Sequence, residues 1–355
     1  MKIKTEELRR FLNAASQIKP NITAINLDSI KIECTGQEII MTKTNNNIWC
    51  RYSYVCQQQP AAETYLVNEK ILNGIALTSK EYEITVSPYR DGKNIQITSG
   101  EDVIKVQNQD IKLFPQWVIA TGDRVKINKE VVDRIRIASK YVNTAANITA
   151  LNFVSIGMNG IFASNYNIVY HHNTFPLPEI LLDKEPLNTI KSSDDMLYWS
   201  SDSYNFFQVD GFTYGFIKTA ITPINYEPII NQTGEAHFVC KREDIIDFCT
   251  LVQYSKRQEN PLATLQGKQG DNTGLVLNFT DADFDIEVNR VIPMASNQHV
   301  EPFKFNVEQL ALLLTTIPYE MLTFTKVPQG HYVITTDNDP DYKGIIARLQ
   351  DEPKQ

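Results

Sequence analysis

The sequence predicts an α+β chain of three tandem repeats, each with two helices packed on antiparallel sheets. Three observations point there. Helix-like segments of one texture begin at Thr5, Asn128 and Lys241, 123 and 113 residues apart. A second helix-like segment follows in each third, from Val67, Leu182 and Phe305. Between the helices, apolar and polar residues alternate with the period of strands. The divisions are residues 1–122, 123–233 and 234–350, with a polar tail at 351–355. At about 150 residues per domain, 355 residues agree with two or three domains.

The first helices carry their apolar residues at helical spacing: Leu8, Phe11, Leu12 and Ala15, then Val131, Ile135, Ala138 and Val142, then Ile245, Phe248, Cys249 and Val252. For the second helices, Asn68, Asp183 and Asn306 are the expected N-caps, since a short side-chain oxygen accepts an orphan amide of the first turn. Pro186 fits early in the middle one, where no amide is needed. Strands are expected at Ile30–Cys34, Glu38–Thr42, Tyr82–Val86, Asn94–Thr98 and Tyr332–Thr336, with turns at Asp91-Gly92 and Gln329-Gly330.

Apolar residues make up 42% of the chain and charged ones 21%, enough for packed cores and too apolar for general disorder. No apolar run approaches the length of a membrane span and the first residues lack a secretion signal, so a soluble cytoplasmic protein is expected. The five cysteines (Cys34, Cys50, Cys56, Cys240, Cys249) contain no CxxC and read as plain thiols; no metal or cofactor is expected.

The net charge of −8 argues against a basic coat, but the charge is segregated. Residues 1–19 sum to +3, residues 124–143 to +4 and residues 239–257 to +1, leaving −16 elsewhere. Phase matters as much as sign. Lys129, Arg136 and Lys140 fall opposite the Val131/Ile135/Ala138/Val142 stripe, and Arg10, Asn13 and Gln17 lie opposite Leu8/Leu12/Ala15, with Arg9 at the edge. The third helix is weaker, since Glu243 and Asp247 sit on its outer face. Two such faces in an acidic chain point to a surface that meets phosphates.

Several local strings, in order along the repeats, resemble the bacterial DNA polymerase III β subunit, the sliding-clamp family. They are Met1-Lys-Ile-x-x-Glu-x-Leu, Ile111-Lys-Leu-Phe-Pro-Gln-Trp, Leu151-Asn-Phe-Val and Pro223-Ile-Asn-Tyr, together with Ala163-Ser-Asn-Tyr-Asn-Ile-Val where the family has Ala-Thr-Asp-Gly-His-Arg-Leu. The resemblance implies three DNA-clamp domains and a ring closed by two chains head to tail. It implies a non-catalytic processivity factor whose partners are double-stranded DNA, a replicative polymerase and a clamp loader, with no membrane. The DNA-facing residues would be Arg9, Arg10, Lys19, Lys129, Arg136 and Lys140. A partner-peptide pocket would use Leu151, Ser164, Asn167, Val169, Ile224, Ile229 and Ile346, and the dimer interface Ile104 and Val106. The sequence departs from the family at Asn167, where the family has His, and at Ile346-Ala-Arg-Leu-Gln, where it has Met-Pro-Met-Arg-Leu.

Two other readings compete. A tandem-repeat scaffold that binds only proteins explains the repeat but not the phased cations. An enzyme would need a site, and His171-His172 point to opposite faces of a strand and cannot share a metal. Asp281-Ala-Asp-Phe-Asp and Asp337-Asn-Asp-Pro-Asp lack the glycine and distal glutamate of a calcium loop and read as turns.

Overall fold

The computed structural model describes residues 1–16, 18–19, 27–56, 62–90, 92–117, 122–143, 149–173, 179–183, 196–256, 259–296 and 299–349. The first third runs β1 (Lys2–Lys4), α1 (Thr5–Ala15), β2 (Ser29–Cys34), β3 (Glu38–Thr44), β4 (Ile48–Val55), β5 (Glu63–Asn68), α2 (Glu69–Thr78), β6 (Glu83–Tyr89), β7 (Asn94–Ser99) and β8 (Asp102–Gln107). The second runs β9 (Val125–Ile127), α3 (Lys129–Ser139), β10 (Phe153–Gly157), β11 (Gly160–Ser164), β12 (Ile168–His172), β13 (Ile180–Asp183), β14 (Met196–Ser200), β15 (Tyr204–Val209), β16 (Phe212–Ile217) and a short α4 (Glu227–Ile230). The last runs β17 (Glu235–Lys241), α5 (Arg242–Ser255), β18 (Leu262–Gly267), β19 (Gly274–Asp281), β20 (Ile286–Ser296), β21 (Phe303–Asn306), α6 (Val307–Thr315), β22 (Met321–Lys326), β23 (Tyr332–Thr335) and β24 (Tyr342–Ile346).

One unit, a strand, a helix and three strands, therefore recurs along the chain. It is complete five times among the described residues; the expected helix after Asp183, with Pro186, lies outside them. The chain forms two compact units, residues 1–136 with 182–220, and residues 137–181 with 221–355.

The first unit holds a four-stranded sheet, β1-β6-β7-β8, and an eight-stranded sheet, β5-β2-β3-β4-β16-β15-β14-β9. In the larger sheet, strands of the first and second thirds meet edge to edge where β4 pairs with β16. The helices pack because their stripes are apolar. Leu8, Phe11, Leu12 and Ala15 of α1 are buried, as are Leu72, Ile75 and Ala76 of α2. Asn68 caps α2 by accepting the Lys70 amide at 2.9 Å.

In the second unit a twelve-stranded sheet runs β13-β10-β11-β12-β24-β23-β22-β17-β20-β19-β18-β21. Its second and third thirds join where β12 pairs with β24. Asn306 caps α6 by accepting the Gln309 amide at 3.1 Å. All five cysteines are free thiols. No helix among the described residues is long and apolar enough to cross a membrane.

Candidate functional site

Three surfaces correspond to the residues singled out in the sequence. The first set is the cations of the leading helices, each helix taken by itself. On α3, Val131, Ile135 and Ala138 are buried, as is Val142 just past its end, while Lys129 on the helix and Lys140 in the turn that follows are exposed and make no ion pair among the described residues. Arg136 is half-buried, 3.5 Å from Asp133 Oδ1. Asn128 caps this helix, its side chain accepting the Val131 amide at 3.0 Å.

The α1 cations are held more tightly. Arg9 donates to the carbonyls of Ala76 (2.7 Å) and Ser79 (2.6 Å), so it ties α1 to the C-terminal end of α2. Arg10 pairs with Asp210 and donates to the Tyr52 hydroxyl at 3.1 Å, and its guanidinium lies over the Tyr52 and Phe212 rings. Lys19 is exposed. At α5 the basic residues are spent internally: Arg242 donates to the Ile317 carbonyl, and Lys256, just past the helix end, pairs with Glu308.

The second surface is the seam between β12 and β24. Phe162, Val169, Val333 and Ile345 share one face of the sheet, and Val327, Tyr226 and Ile230 complete the cluster. Ile224 and Ile229 lie on it half-buried, with apolar surface still open to solvent. The Phe162 ring is stacked between Tyr226 at 5.1 Å and His171 at 4.6 Å. Lys343 Nζ donates to the Ile230 carbonyl at 2.9 Å, holding α4 against the seam. Beyond Ile345 a cavity of about 680 Å³ opens beside Lys304, Pro328, His331 and Ala347–Leu349.

The structure brings Val169, Ile224 and Ile229 together, and places the other expected pocket residues differently. Ile346 is opposite Ile168 and Tyr332, one residue out of phase with the Val169↔Ile345 pair. Strand alternation therefore turns it to the other face, and it is Ile345 that lies in the apolar cluster with Val169. Leu151 is buried outside the cluster. Ser164 donates to the Ile168 carbonyl at 2.9 Å, and the Asn167 carbonyl accepts the Ala347 amide at 2.7 Å, so both shape the turn and anchor the C-terminal segment. Phe162, Tyr226 and Lys343 also lie at this seam, and only the parity of β11 and β24 could have placed the first and last there from the sequence.

The third surface is the edge strand β8. Ile104 and Val106 lie opposite Ile97 and Ile95, which are buried, so both turn towards the apolar side of the four-stranded sheet. Ile104 remains 38% exposed and Val103, on the reverse face, 51%. The outer edge of β8 pairs with no strand among the described residues.

The two adjacent histidines are engaged separately. His171 meets the Asn159 carbonyl at 2.9 Å and its burial drops its pKa to about 4. His172 faces the other way, 3.3 Å from Asp339, which also accepts from the Tyr319 hydroxyl at 3.2 Å. No group of three metal-binding side chains occurs among the described residues.

No protein-family model and no curated protein matches the chain. Solved structures do. A DnaN sliding clamp (DNA polymerase III subunit beta) from Bartonella birtlesii, bound to griselimycin, superposes with a TM-score of 0.88 at 13% identity, over 99% of each chain. The DNA polymerase sliding clamp of Caulobacter crescentus gives 0.86 at 12% identity, over 98% of this chain and 99% of the other. That of Bacillus subtilis gives 0.86 at 11% identity, over 99% of each. The chain has the fold of the DNA polymerase III β-subunit sliding clamps.

Proposed function

We propose that the protein is a sliding clamp, a non-catalytic ring that encircles duplex DNA and tethers a replicative polymerase and its loader. The observation that supports it is a pairing rule. The last strands of the six recurring units are β4, β8, β12, β16, β20 and β24. Within the chain β4 pairs with β16 and β12 with β24, each joining strand n to strand n + 12. Applied once more, the rule sends β20 to β8 of a second copy. These are the two last strands left over: β8 has an open edge, and Ile286–Ile292 of β20 pair only with β19 among the described residues. Such a head-to-tail contact closes rings, and it covers edges that soluble proteins avoid leaving bare.

The three thirds, 1–122, 123–233 and 234–350, are then the clamp domains. Lys129, Lys140, Arg136 and Lys19 would meet phosphates without reading bases, as sliding requires. The half-buried Ile224 and Ile229 beside Val169 would receive an apolar partner peptide. A protein-binding scaffold without a DNA role leaves the exposed Lys129 and Lys140 unexplained.

The test is retention after loading. The ring should stay on nicked circular DNA in salt that abolishes binding to short linear duplex, and leave when the circle is cut. Its solution mass should be about 81 kDa, twice the chain's 40.5 kDa, and changing Ile104 and Val106 to Asp should halve it. Equal retention on circular and linearised DNA would sink the proposal.

A further inference from the structure

The β4–β16 seam is the positional counterpart of the β12–β24 seam, but its chemistry is different. On its outer face Trp49 and Arg51 of β4 lie opposite Gly215 and Thr213 of β16. Phe206 and Trp199 follow on the next two strands, in register with Gly215. Gly215 is required there, because a Cβ would come within 2.9 Å of the Phe206 ring. The chain after β8 lays Trp117 across this face, edge-on to Trp49 with ring centres 5.4 Å apart. A cavity of about 250 Å³ opens among Arg51, Trp117, Arg124, Trp199 and Gln208.

Two features of this cavity are unfinished. Arg51 lies 5.3 Å over the Trp117 ring and Arg124 4.9 Å over Trp199, yet neither makes an ion pair among the described residues. Arg124 donates only to the neutral Gln208 side chain, at 3.4 Å. In a chain of net charge −8, Arg10, Arg136 and Arg290 by contrast each pair with a carboxylate. The second feature is the Trp199 indole N–H, which has no acceptor among the described residues although the residue is only 6% exposed. A buried donor left unmatched is costly unless a ligand supplies the acceptor.

We infer that this seam is a second docking site, distinct from the apolar one, and that it takes a short acidic peptide. Two guanidiniums and an indole N–H offer donors, and the one carboxylate lining the cavity, Glu38, lies beside it on the exposed start of β3. A peptide carboxylate can take a bidentate contact from an arginine, and a small shift of the Trp199 ring on binding would let its backbone carbonyl take the buried indole proton. Tryptophan and arginine are also the residues that most often anchor protein interfaces. Single-stranded nucleic acid fits less well, because the ring faces it would stack on are already covered. Trp199 stacks on Phe206 at 5.4 Å, and the arginines occupy the others.

The site carries its own reporter, since Trp49, Trp117 and Trp199 are the only three tryptophans in the chain. The intact protein is titrated with acetyl-Asp-Glu-Leu-Asp-Glu-amide while its intrinsic fluorescence is followed. A saturable change is expected, with a midpoint of about 10–100 μM for so small a contact. The neutral peptide Asn-Gln-Leu-Asn-Gln should bind at least tenfold more weakly, as should the acidic peptide to Arg124→Gln or Arg51→Gln. Arg124 is exposed, so the first of these variants keeps its fold. Trp199→Phe keeps the ring and removes the N–H, and should weaken binding several-fold. All three variants should retain circular DNA as the parent does, so failure here is distinct from failure of the sliding-clamp reading. An unsaturable titration, equal binding of the neutral peptide or of the arginine variants, or tighter binding of decathymidylate would each overturn the inference.

Discussion

Lys43 Nζ lies 2.7 Å from Glu69 Oε1 and 3.0 Å from the Ala15 carbonyl, with the lysine side chain only 1% exposed. One buried ammonium thus joins the negative end of α1 to the first turn of α2. Removing one member of a buried pair strands the other, which costs more than the pair contributes. Lys43→Met should therefore lower the unfolding free energy by about 3–5 kcal/mol. The double change Lys43→Met with Glu69→Leu should recover more than half of that. Urea unfolding of the two proteins measures it, and equal losses would show that the carboxylate is not what the lysine serves.

The second prediction separates an isoleucine on the open side of the β12–β24 cluster from one buried behind it. Ile224 and Ile229 are half-buried on the β12–β24 cluster, whereas Ile345 lies beneath them and Ile346 faces the opposite side with Ile168. A peptide with a glutamine and a terminal apolar pair should bind at roughly micromolar affinity. Ile224→Asp should weaken it tenfold or more with the unfolding midpoint nearly unchanged. Ile346→Asp should instead destabilise the fold, because it buries a carboxylate among apolar residues. Calorimetric titration beside thermal melts distinguishes the two outcomes.

These contrasts mark what the sequence discloses. The stripes of α1, α3 and α5 and the caps at Asn68 and Asn306 are local, since period and cap chemistry lie within a few residues. The recurring unit is legible for the same reason. The phase of β24 is not, because Gly344-Ile-Ile-Ala has no alternation to fix which isoleucine faces out. Arg10 reads as a free cation because its partner, Asp210, is 200 residues away. The tryptophan cluster has no local signal at all, as Trp49, Trp117 and Trp199 meet only through the β4–β16 seam.

Acid should loosen the second unit in a defined window. Burial lowers the His171 pKa from 6.5 to about 4, against small upward contributions from the Asn159 carbonyl and Asp341. Lys343 and His172 push in the same direction as burial. The unfolded chain then binds a proton that the folded one refuses, so stability is unaffected above pH 6.5 and falls as the pH drops towards 4. His237 and His331 are lowered by burial too and act in the same sense. The urea midpoint should decline between pH 6.5 and 4.5, and His171→Gln should flatten part of that decline without abolishing it. An identical slope in parent and variant would rule out His171 as a contributor.

If the protein encircles duplex DNA as proposed, the last prediction identifies the cations that would meet it. Each phosphate neutralised releases counterions and contributes about 0.9 to the slope of log affinity against log salt. Lys129 and Lys140 are exposed and have no ion pair among the described residues to give up. Arg9, in contrast, already donates to the Ala76 and Ser79 carbonyls, and Arg10 is engaged by Tyr52 and Asp210. Changing Lys129 and Lys140 together to Ser should therefore reduce the salt slope for a short linear duplex by about 2, with melting unchanged. Arg9→Ser and Arg10→Ser should leave that slope within error, yet lower the melting temperature, because each removes a bridge that holds α1 to its neighbours. The phosphate contacts are expected to be loose, through water or the ends of mobile side chains, since tight ones would stop sliding. Fluorescence anisotropy of the duplex across a salt series, read beside thermal melts, makes the comparison. A steeper loss of slope from the arginine changes than from the lysines would place the DNA against α1 and not against α3.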